Sequence, residues 1–168
     1  MKAKVVLVFI LLLVKEINVI ISHANINDAQ EILDLQKLAY QIEAKRYNDY
    51  TLPPLTQTLA EIQNDFEKMV ILKAVLDDKI IGSVRAYLSD GTCYIGRLIV
   101  HPDFQNQGIG TKLMNEIEDR FKQAKRFELF TGHKSEGPLY IYHKLGYQEF
   151  KRKDLDTHTL VFLEKTAR

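Results

Sequence analysis

In the stretch Val100-His-Pro-Asp-Phe-Gln-Asn-Gln-Gly-Ile-Gly-Thr-Lys-Leu-Met114, two glycines separate a strand-like run from a helix-like run. The apolar run over residues 95–100 precedes them, and the amphipathic run over residues 109–124 follows. Glycine lets the backbone approach a bulky anion closely, and the first N–H groups of a helix, aided by its dipole, attract negative charge. The stretch therefore predicts a cradle for a pyrophosphate group.

Two familiar phosphate loops do not fit the pattern Gln105-x-x-Gly108-x-Gly110. A P-loop requires Gly-Lys-Ser/Thr, whereas Gly110 is followed by Thr111 and Lys112 in the opposite order. A dinucleotide-binding turn requires a third glycine, which is missing here. A glycine pair at a helix start is also typical of a simple tight turn, so the pattern needs support from elsewhere in the chain.

Apolar periodicity and turn residues predict the element order β-α-α-β-β-β-α-β-α-β-β. Predicted strands cover residues 17–22, 70–76, 80–88, 92–100, 127–131, 148–152 and 158–163. Two early helices are expected to start at capping residues Asn27 and Thr56, and later helices to cover residues 109–124 and 139–145. The prediction is an α+β (mixed α/β) fold, with a mostly antiparallel sheet of about seven strands and helices on both faces.

A second stretch, Ile141-Tyr-His-Lys-Leu-Gly-Tyr147, gives the glycine loop a context. The loop resembles the acetyl-CoA loop of the GNAT superfamily of N-acetyltransferases, Arg/Gln-x-x-Gly-x-Gly/Ala. The second stretch resembles that superfamily's helix motif Leu-Tyr-x-Lys-x-Gly-Phe, with isoleucine for leucine and tyrosine for phenylalanine. The element order from residue 17 to residue 163 is similar to the three-layer GNAT fold.

The resemblance implies acetyl-CoA as cosubstrate and a sheet that splays at the cofactor site. The strand before the glycine loop would present backbone groups to the pantetheine arm, and the loop would bind the pyrophosphate. Ser135 occupies the place where many relatives carry an asparagine that contacts the cofactor. The implied cofactor-binding residues are Leu98, Ile99, Val100, Gln105, Gln107, Gly108, Ile109, Gly110, Thr111 and Ser135.

The resemblance also assigns catalysis to Tyr142, as the general acid for the departing thiolate. A tyrosine that only covers the sheet is the alternative interpretation. No general base follows from the sequence, because Tyr94 stands where several relatives carry a glutamate. The titratable candidates that stay open are Glu43, Asp90, His101 and His133.

The acceptor site is expected among the early helices and the hairpins. A polar and aromatic cluster there could seat a small amine, or could be a solvated helix end: Tyr40, Glu43, Arg46, Tyr47, Asp49 and Tyr50. The functional hypothesis is acetyl transfer from acetyl-CoA to an amine of a small molecule or peptide, by direct attack on the thioester. Two rivals stay open, a non-catalytic CoA-binding or regulatory module and a nucleotide-binding protein.

The amino-acid composition indicates which partners and which cellular compartment to expect. Lys and Arg total 23 against 22 Asp and Glu, and their interspersed pattern does not favour a nucleic-acid surface. The single cysteine, Cys93, excludes an internal disulfide, is predicted to be packed in a strand, and fits the cytoplasm. No metal site is predicted. A small-molecule amine is the expected partner, and a homodimer is left open.

The N-terminal residues form a separate problem. The run Val5–Val14 is apolar but too short for a bilayer span, which needs about 20 residues. We expect residues 1–16 to lie outside a single acetyltransferase domain covering residues 17–168. An additional buried element, a membrane-associated tail and residues upstream of the natural start are the three alternatives, and the last is favoured.

Overall fold

The computed structural model describes residues 18–167 of the chain, and the predictions for residues 1–16 lie outside them. The strands are β1 Ile20–His23, β2 Val70–Leu76, β3 Lys79–Ser89, β4 Thr92–Val100, β5 Arg126–Gly132, β6 Gln148–Asp154 and β7 Thr159–Thr166. The helices are α1 Ala29–Tyr47, α2 Pro53–Thr56, α3 Leu59–Lys68, α4 Ile109–Arg120 and α5 Glu136–Lys144. The order of strands and longer helices matches the order predicted from periodicity.

Among the described residues, seven strands form one sheet in the order β1-β2-β3-β4-β5-β7-β6. Neighbouring strands are antiparallel except β4 and β5, which pair in parallel. Asp90 and Gly91, with φ of 49° and 78°, make the two-residue turn between β3 and β4. Both residues have positive φ, as the tightest hairpin turns require, which is why Asp-Gly predicted this hairpin. The predicted mixed α+β fold class is confirmed.

Helices pack on both faces of the sheet. On one face α4 contributes fully buried side chains such as Leu113 and Ile117, which pack with Val84 of β3. On the other face Ile32 of α1 and Ile62 of α3 form a second core. Each such side chain contributes about 1.5–3 kcal/mol when it leaves water. The result is three layers, with the sheet between two helical layers.

The helix starts differ from the predicted ones. The capping box before α1 is made by Asn25 and Asp28, not by Asn27, because a single 3-10 turn precedes the helix. The box before α3 is made by Thr58 and Glu61, not by Thr56, because the two prolines form their own short helix α2, which ends at Thr56. In both places the side-chain oxygen satisfies an unpaired N–H of the first turn.

The β4 strand departs from regular geometry at Arg97. Gly96 pairs with Arg85 and Ile99 with Ser83, so β4 has one extra residue and bulges there. Arg97 has a φ of 51°, in the left-handed region that costs a side-chain-bearing residue roughly 1–2 kcal/mol. Past this point the parallel pairing with β5 does not resume.

None of the helices formed by residues 18–167 has the length and apolar character needed to cross a membrane.

Candidate active site

A wedge opens between β4 and β5. The two strands pair only over three positions, ending at Tyr94 with Glu128. Beyond them β4 continues to Val100 along β3, while β5 continues along β7. One edge of β4, over residues 95–100, therefore presents backbone groups to the wedge, as the sequence resemblance implied.

The glycine loop joins this edge of β4 to the start of α4. Gly108 precedes the helix with a φ of 80°, and no side chain caps the helix there. The first intrahelical hydrogen bond runs from the N–H of Lys112 to the carbonyl of Gly108. The N–H groups of the first helical turn consequently lack intrahelical acceptors, and they point out of the helix end. A Cβ atom on Gly108 would meet nothing within 4 Å, so the surface above the loop is open.

Gly110 has a different role. A Cβ atom there would lie 3.0 Å from Cδ1 of Ile141 on α5. The missing side chain thus lets α4 approach α5, the helix that carries Tyr142.

The two glutamine side chains of the loop contact the loop itself. The Gln105 amide donates to the Val100 carbonyl at 3.2 Å, and the Gln107 amide reaches the Asp103 carbonyl at 3.5 Å. Both side chains are exposed. They hold the loop shape, while the backbone N–H groups face outward.

Tyr142 of α5 is buried, with 6% of its surface exposed. Burial raises the pKa of its phenol above the usual value of 10.0, and the neighbouring Tyr40 and Glu43 raise it further. The phenol therefore stays protonated at neutral pH and can donate a hydrogen bond. Tyr140, on the outer face of the same helix, is 68% exposed.

Helix α1 braces the loop between β5 and α5. The Ser135 hydroxyl donates to the Glu43 carboxylate at 2.6 Å, and the Lys134 N–H donates to the Tyr47 hydroxyl at 2.8 Å. A Cβ atom at Gly132 would overlap the Tyr47 hydroxyl, so glycine is required for this contact. Ser135 is 2% exposed, and its contact with a cofactor stays a prediction.

The residues of the cluster that could seat the acceptor do not form one site, because several of them bind to other parts of the chain. Arg46 pairs with the brace residue Glu43. Asp49 accepts hydrogen bonds from Thr51 and from Thr157. These contacts tie α1 to neighbouring loops, and Tyr40 alone of the cluster lies near both Tyr142 and Arg97.

Two adjoining clefts, of about 330 and 290 Å³, lie beside the wedge on the α1–α3 face of the sheet. They share Gln57, Asp65 and Arg97. The first is lined also by Pro53, Thr56, Glu61 and Asn64. The second is lined also by Met69, Arg85, Tyr87, Tyr94, Ile95, Gly96, Glu128, Leu129 and Phe130. No residue of the glycine loop lines either cleft, so the clefts are separate from the anion cradle.

Strand pairing places a carboxylate, that of Glu128, next to Tyr94. The parallel register places Glu128 directly beside Tyr94, and both side chains line the same cleft. Arg126 pairs with Glu128 at 2.5 Å and with Glu164 at 2.5 Å. The sequence alone does not indicate Glu128, because only strand pairing brings it next to β4.

The other carboxylate and imidazole candidates are engaged elsewhere. His101 accepts a hydrogen bond from the N–H of Asp103, and His133 contacts the backbone of Thr159. Asp90 forms the β3–β4 turn. Neither histidine lines either cleft.

Within residues 18–167, no group of three or more His, Cys, Asp or Glu side chains is arranged to hold a metal ion. Cys93 is fully buried, as predicted for a packed strand residue, and burial raises its pKa to about 12. It therefore offers no thiolate at neutral pH.

Comparison with known proteins agrees with this geometry. The sequence model described as "Acetyltransferase (GNAT) family" matches residues 29–147. A curated relative, UPF0157 protein YqkA of Bacillus subtilis, is 27% identical over 129 residues, which are 77% of this chain and 37% of YqkA. The chain thus spans about a third of that relative's length.

Solved structures share the fold. The ribosomal-protein-S18-alanine N-acetyltransferase of Escherichia coli superposes with a TM-score of 0.75 at 13% identity, over 89% of this chain and 94% of that one. The PaiA N-acetyltransferase of Thermoplasma acidophilum, in complex with coenzyme A, gives 0.68 at 19% identity, over 89% and 99%. At these identities the similarity concerns the fold alone.

Proposed function

We propose that this chain, which belongs to the acetyltransferase (GNAT) family, transfers the acetyl group of acetyl-CoA to the amine of a small molecule. The observation that carries the proposal is the wedge between β4 and β5. A free strand edge and an uncapped helix start border it, and a carboxylate lines the cleft beside it. Family membership supports acyl transfer in general.

The residues present fit acetyl-CoA, which would supply the activated acetyl thioester. The backbone of Leu98, Ile99 and Val100 would pair with the pantetheine arm like an added strand. The N–H groups from Gln107 to Thr111 would bind the pyrophosphate, since they lie at an uncapped helix start. An N–H on the β4 edge would also donate to the oxygen that gains negative charge during attack.

Glu128 is the proposed general base. An amine must lose a proton to attack a thioester, and a carboxylate beside the cleft can accept that proton directly or through a water molecule. The side chain of Glu128 is 18% accessible, so solvent protons can reach it. This placement weakens the alternative of a non-catalytic module, which rested on the missing carboxylate at Tyr94.

Tyr142 is the proposed hydrogen-bond donor to the leaving thiolate. Because burial raises its pKa, the phenol is protonated throughout the neutral range. A neutral donor in a buried position stabilises the thiolate more than water does, since its dipole is already oriented. Helix α1 keeps α5 in place through Glu43 and Tyr47.

The size of the clefts favours a small acceptor. Pockets for small molecules have volumes of roughly 300–1,000 Å³, and the two clefts are near the lower end of that range. A peptide would require a groove open along its length. The acceptor is therefore proposed to be a small amine, and a peptide acceptor is the alternative outcome of the test.

The test is thiol release from acetyl-CoA in the presence of small amines and, separately, of short peptides. Cys93 is buried and protonated, so the folded protein contributes little background to a thiol reagent. We expect thiol release that depends on a small amine, with an equal amount of acetylated product by mass spectrometry. Binding of acetyl-CoA without any amine-dependent release would contradict the proposal. Turnover of peptides alone would move the acceptor class to peptides. A cytoplasmic location and a homodimer stay predictions.

A further inference from the structure

Arg97 is a cation without a counterion in the cleft. Among residues 18–167 it takes part in none of the ion pairs. Its Nε atom is buried and has no hydrogen-bond partner. Buried donors in proteins are nearly always paired, so an unpaired guanidinium donor in a cleft calls for an acceptor from outside the chain.

Asp65 and Glu61, two carboxylates that line the clefts, already have partners within the chain. Asp65 pairs with Arg85 at 2.7 Å and also accepts from the Gln57 amide. Glu61 accepts from the backbone and hydroxyl of Thr58 in the capping box. Glu128 pairs with Arg126, so among the described residues no carboxylate that lines the clefts forms an ion pair with Arg97.

The charge of Arg97 also acts on its neighbour Arg85. Burial, followed by the positive charge of Arg97, lowers the pKa of Arg85 to about 10. The Tyr40 hydroxyl hydrogen-bonds to the Arg97 side chain but brings no negative charge, because burial raises the pKa of that phenol. An anion brought in by a ligand would give Arg97 the ion-pair partner that it lacks among the described residues.

The backbone conformation of Arg97 is also unusual. It occupies the bulge of β4 with a φ of 51°, a conformation that glycine adopts more easily. The bulge directs the side chain into both clefts, beside the carboxylate of Glu128 in one of them. Strained residues of this kind concentrate at binding sites. The glycine loop lines neither cleft, so the anion in question is not the pyrophosphate.

We infer that Arg97 binds a carboxylate group of the acceptor, so that the substrate is an amine that also carries a carboxylate, as an α-amino acid does. The planar guanidinium offers paired N–H donors that match the two oxygens of a carboxylate. This inference rests on the proposed acetyl transfer. Arg97 would fix the acid end of the acceptor, and Glu128 would act on its amine end.

The test compares α-amino acids with their carboxamides as acceptors, using thiol release from acetyl-CoA. The protein should prefer the carboxylate over the matched carboxamide by about 10-fold or more in kcat/KM, mainly through KM, as expected for charge-assisted hydrogen bonds. In Arg97→Gln and Arg97→Gly the ratio should fall to near one, while Arg97→Lys should keep part of it. Arg97→Gly removes the strained side chain, so a folding defect would not explain its loss of preference.

Arg152→Gln is the matched control, because Arg152 is an exposed arginine on β6 paired with Glu149. It should keep the full preference, and Arg97→Gln should keep its affinity for acetyl-CoA. Equal use of amino acids and carboxamides by the unaltered protein would overturn the inference while leaving acetyl transfer standing. So would a preference confined to phosphate-bearing amines such as O-phosphoethanolamine. Failure to acetylate any amine would overturn both the inference and the proposed function.

Discussion

The two sides of the wedge are built from different parts of the chain. The donor side consists of one continuous segment, residues 98–111, and presents mainly backbone groups. The acceptor side consists of side chains from α2, α3, β3, β4 and β5. A backbone site tolerates many side chains but needs its glycines, whereas a side-chain site can change with single substitutions. The donor would accordingly be fixed by the fold, and the acceptor by individual residues.

The largest effect on activity is expected on the acceptor side, at Glu128. Glu128→Gln should lower kcat by roughly 100-fold or more, because the amine loses its proton acceptor. Acetyl-CoA affinity, measured by calorimetry, should not change. Glu164→Gln is the control, since Glu164 is the other carboxylate on Arg126. Equal kcat values for the two variants would show that Glu128 is not the base.

Tyr142 should give the next largest effect. Tyr142→Phe removes only the hydroxyl and should lower kcat about 10-fold or more, through loss of a hydrogen bond to the thiolate. Because the pKa of Tyr142 is raised and its protonated form is the active one, its deprotonation should reduce kcat only above pH 10, the ordinary value. Tyr140→Phe, on the exposed face of α5, should be silent. A fall in kcat of the unaltered protein between pH 8 and pH 9 that is absent from Tyr142→Phe would argue against a raised pKa.

On the donor side the decisive residue is Gly108. Gly108→Val forces a branched residue to a φ of 80° and covers the outward N–H groups. The affinity for acetyl-CoA should fall about 10-fold or more, because relief of this strain, roughly 1–2 kcal/mol, would move the loop out of the shape that presents its N–H groups. Gly91→Val imposes similar strain at a φ of 78° in the β3–β4 turn and should leave affinity intact. If both variants lost affinity equally, general destabilisation would be the cause.

The smallest effect is expected at Gln105. Gln105→Ala removes an exposed amide that donates to the Val100 carbonyl, a contact worth about 1 kcal/mol or less. Acetyl-CoA affinity should change less than about fivefold. A loss as large as that of Gly108→Val would mean that side chains, not backbone groups, bind the donor.

The sequence predicted the donor side better than the acceptor side. The glycine loop, the Asp90-Gly91 turn and the helix around Tyr142 are local patterns, in which neighbouring residues determine the backbone. The bulge at Arg97 has no such signal, because arginine does not favour a left-handed conformation. Glu128 became a candidate only through its parallel pairing with Tyr94, a contact between distant segments.

The helix caps were missed for a related reason. Asn27 and Thr56 have the right chemistry for capping, as do Asn25 and Thr58 nearby. A short turn before each helix decided between them, and such turns depend on packing against the rest of the domain. The brace from Glu43 and Tyr47 to the β5–α5 loop is also a tertiary contact, and no local sequence pattern indicated it.

The division between donor and acceptor sides can be measured directly by titrating the labelled protein with coenzyme A and following its backbone amide resonances. We predict that the amides of residues 98–100 and 107–111 shift most, with smaller changes at residues 57–65 that line the clefts. Shifts concentrated at residues 57–65 and at Glu128, with the loop unchanged, would contradict the account.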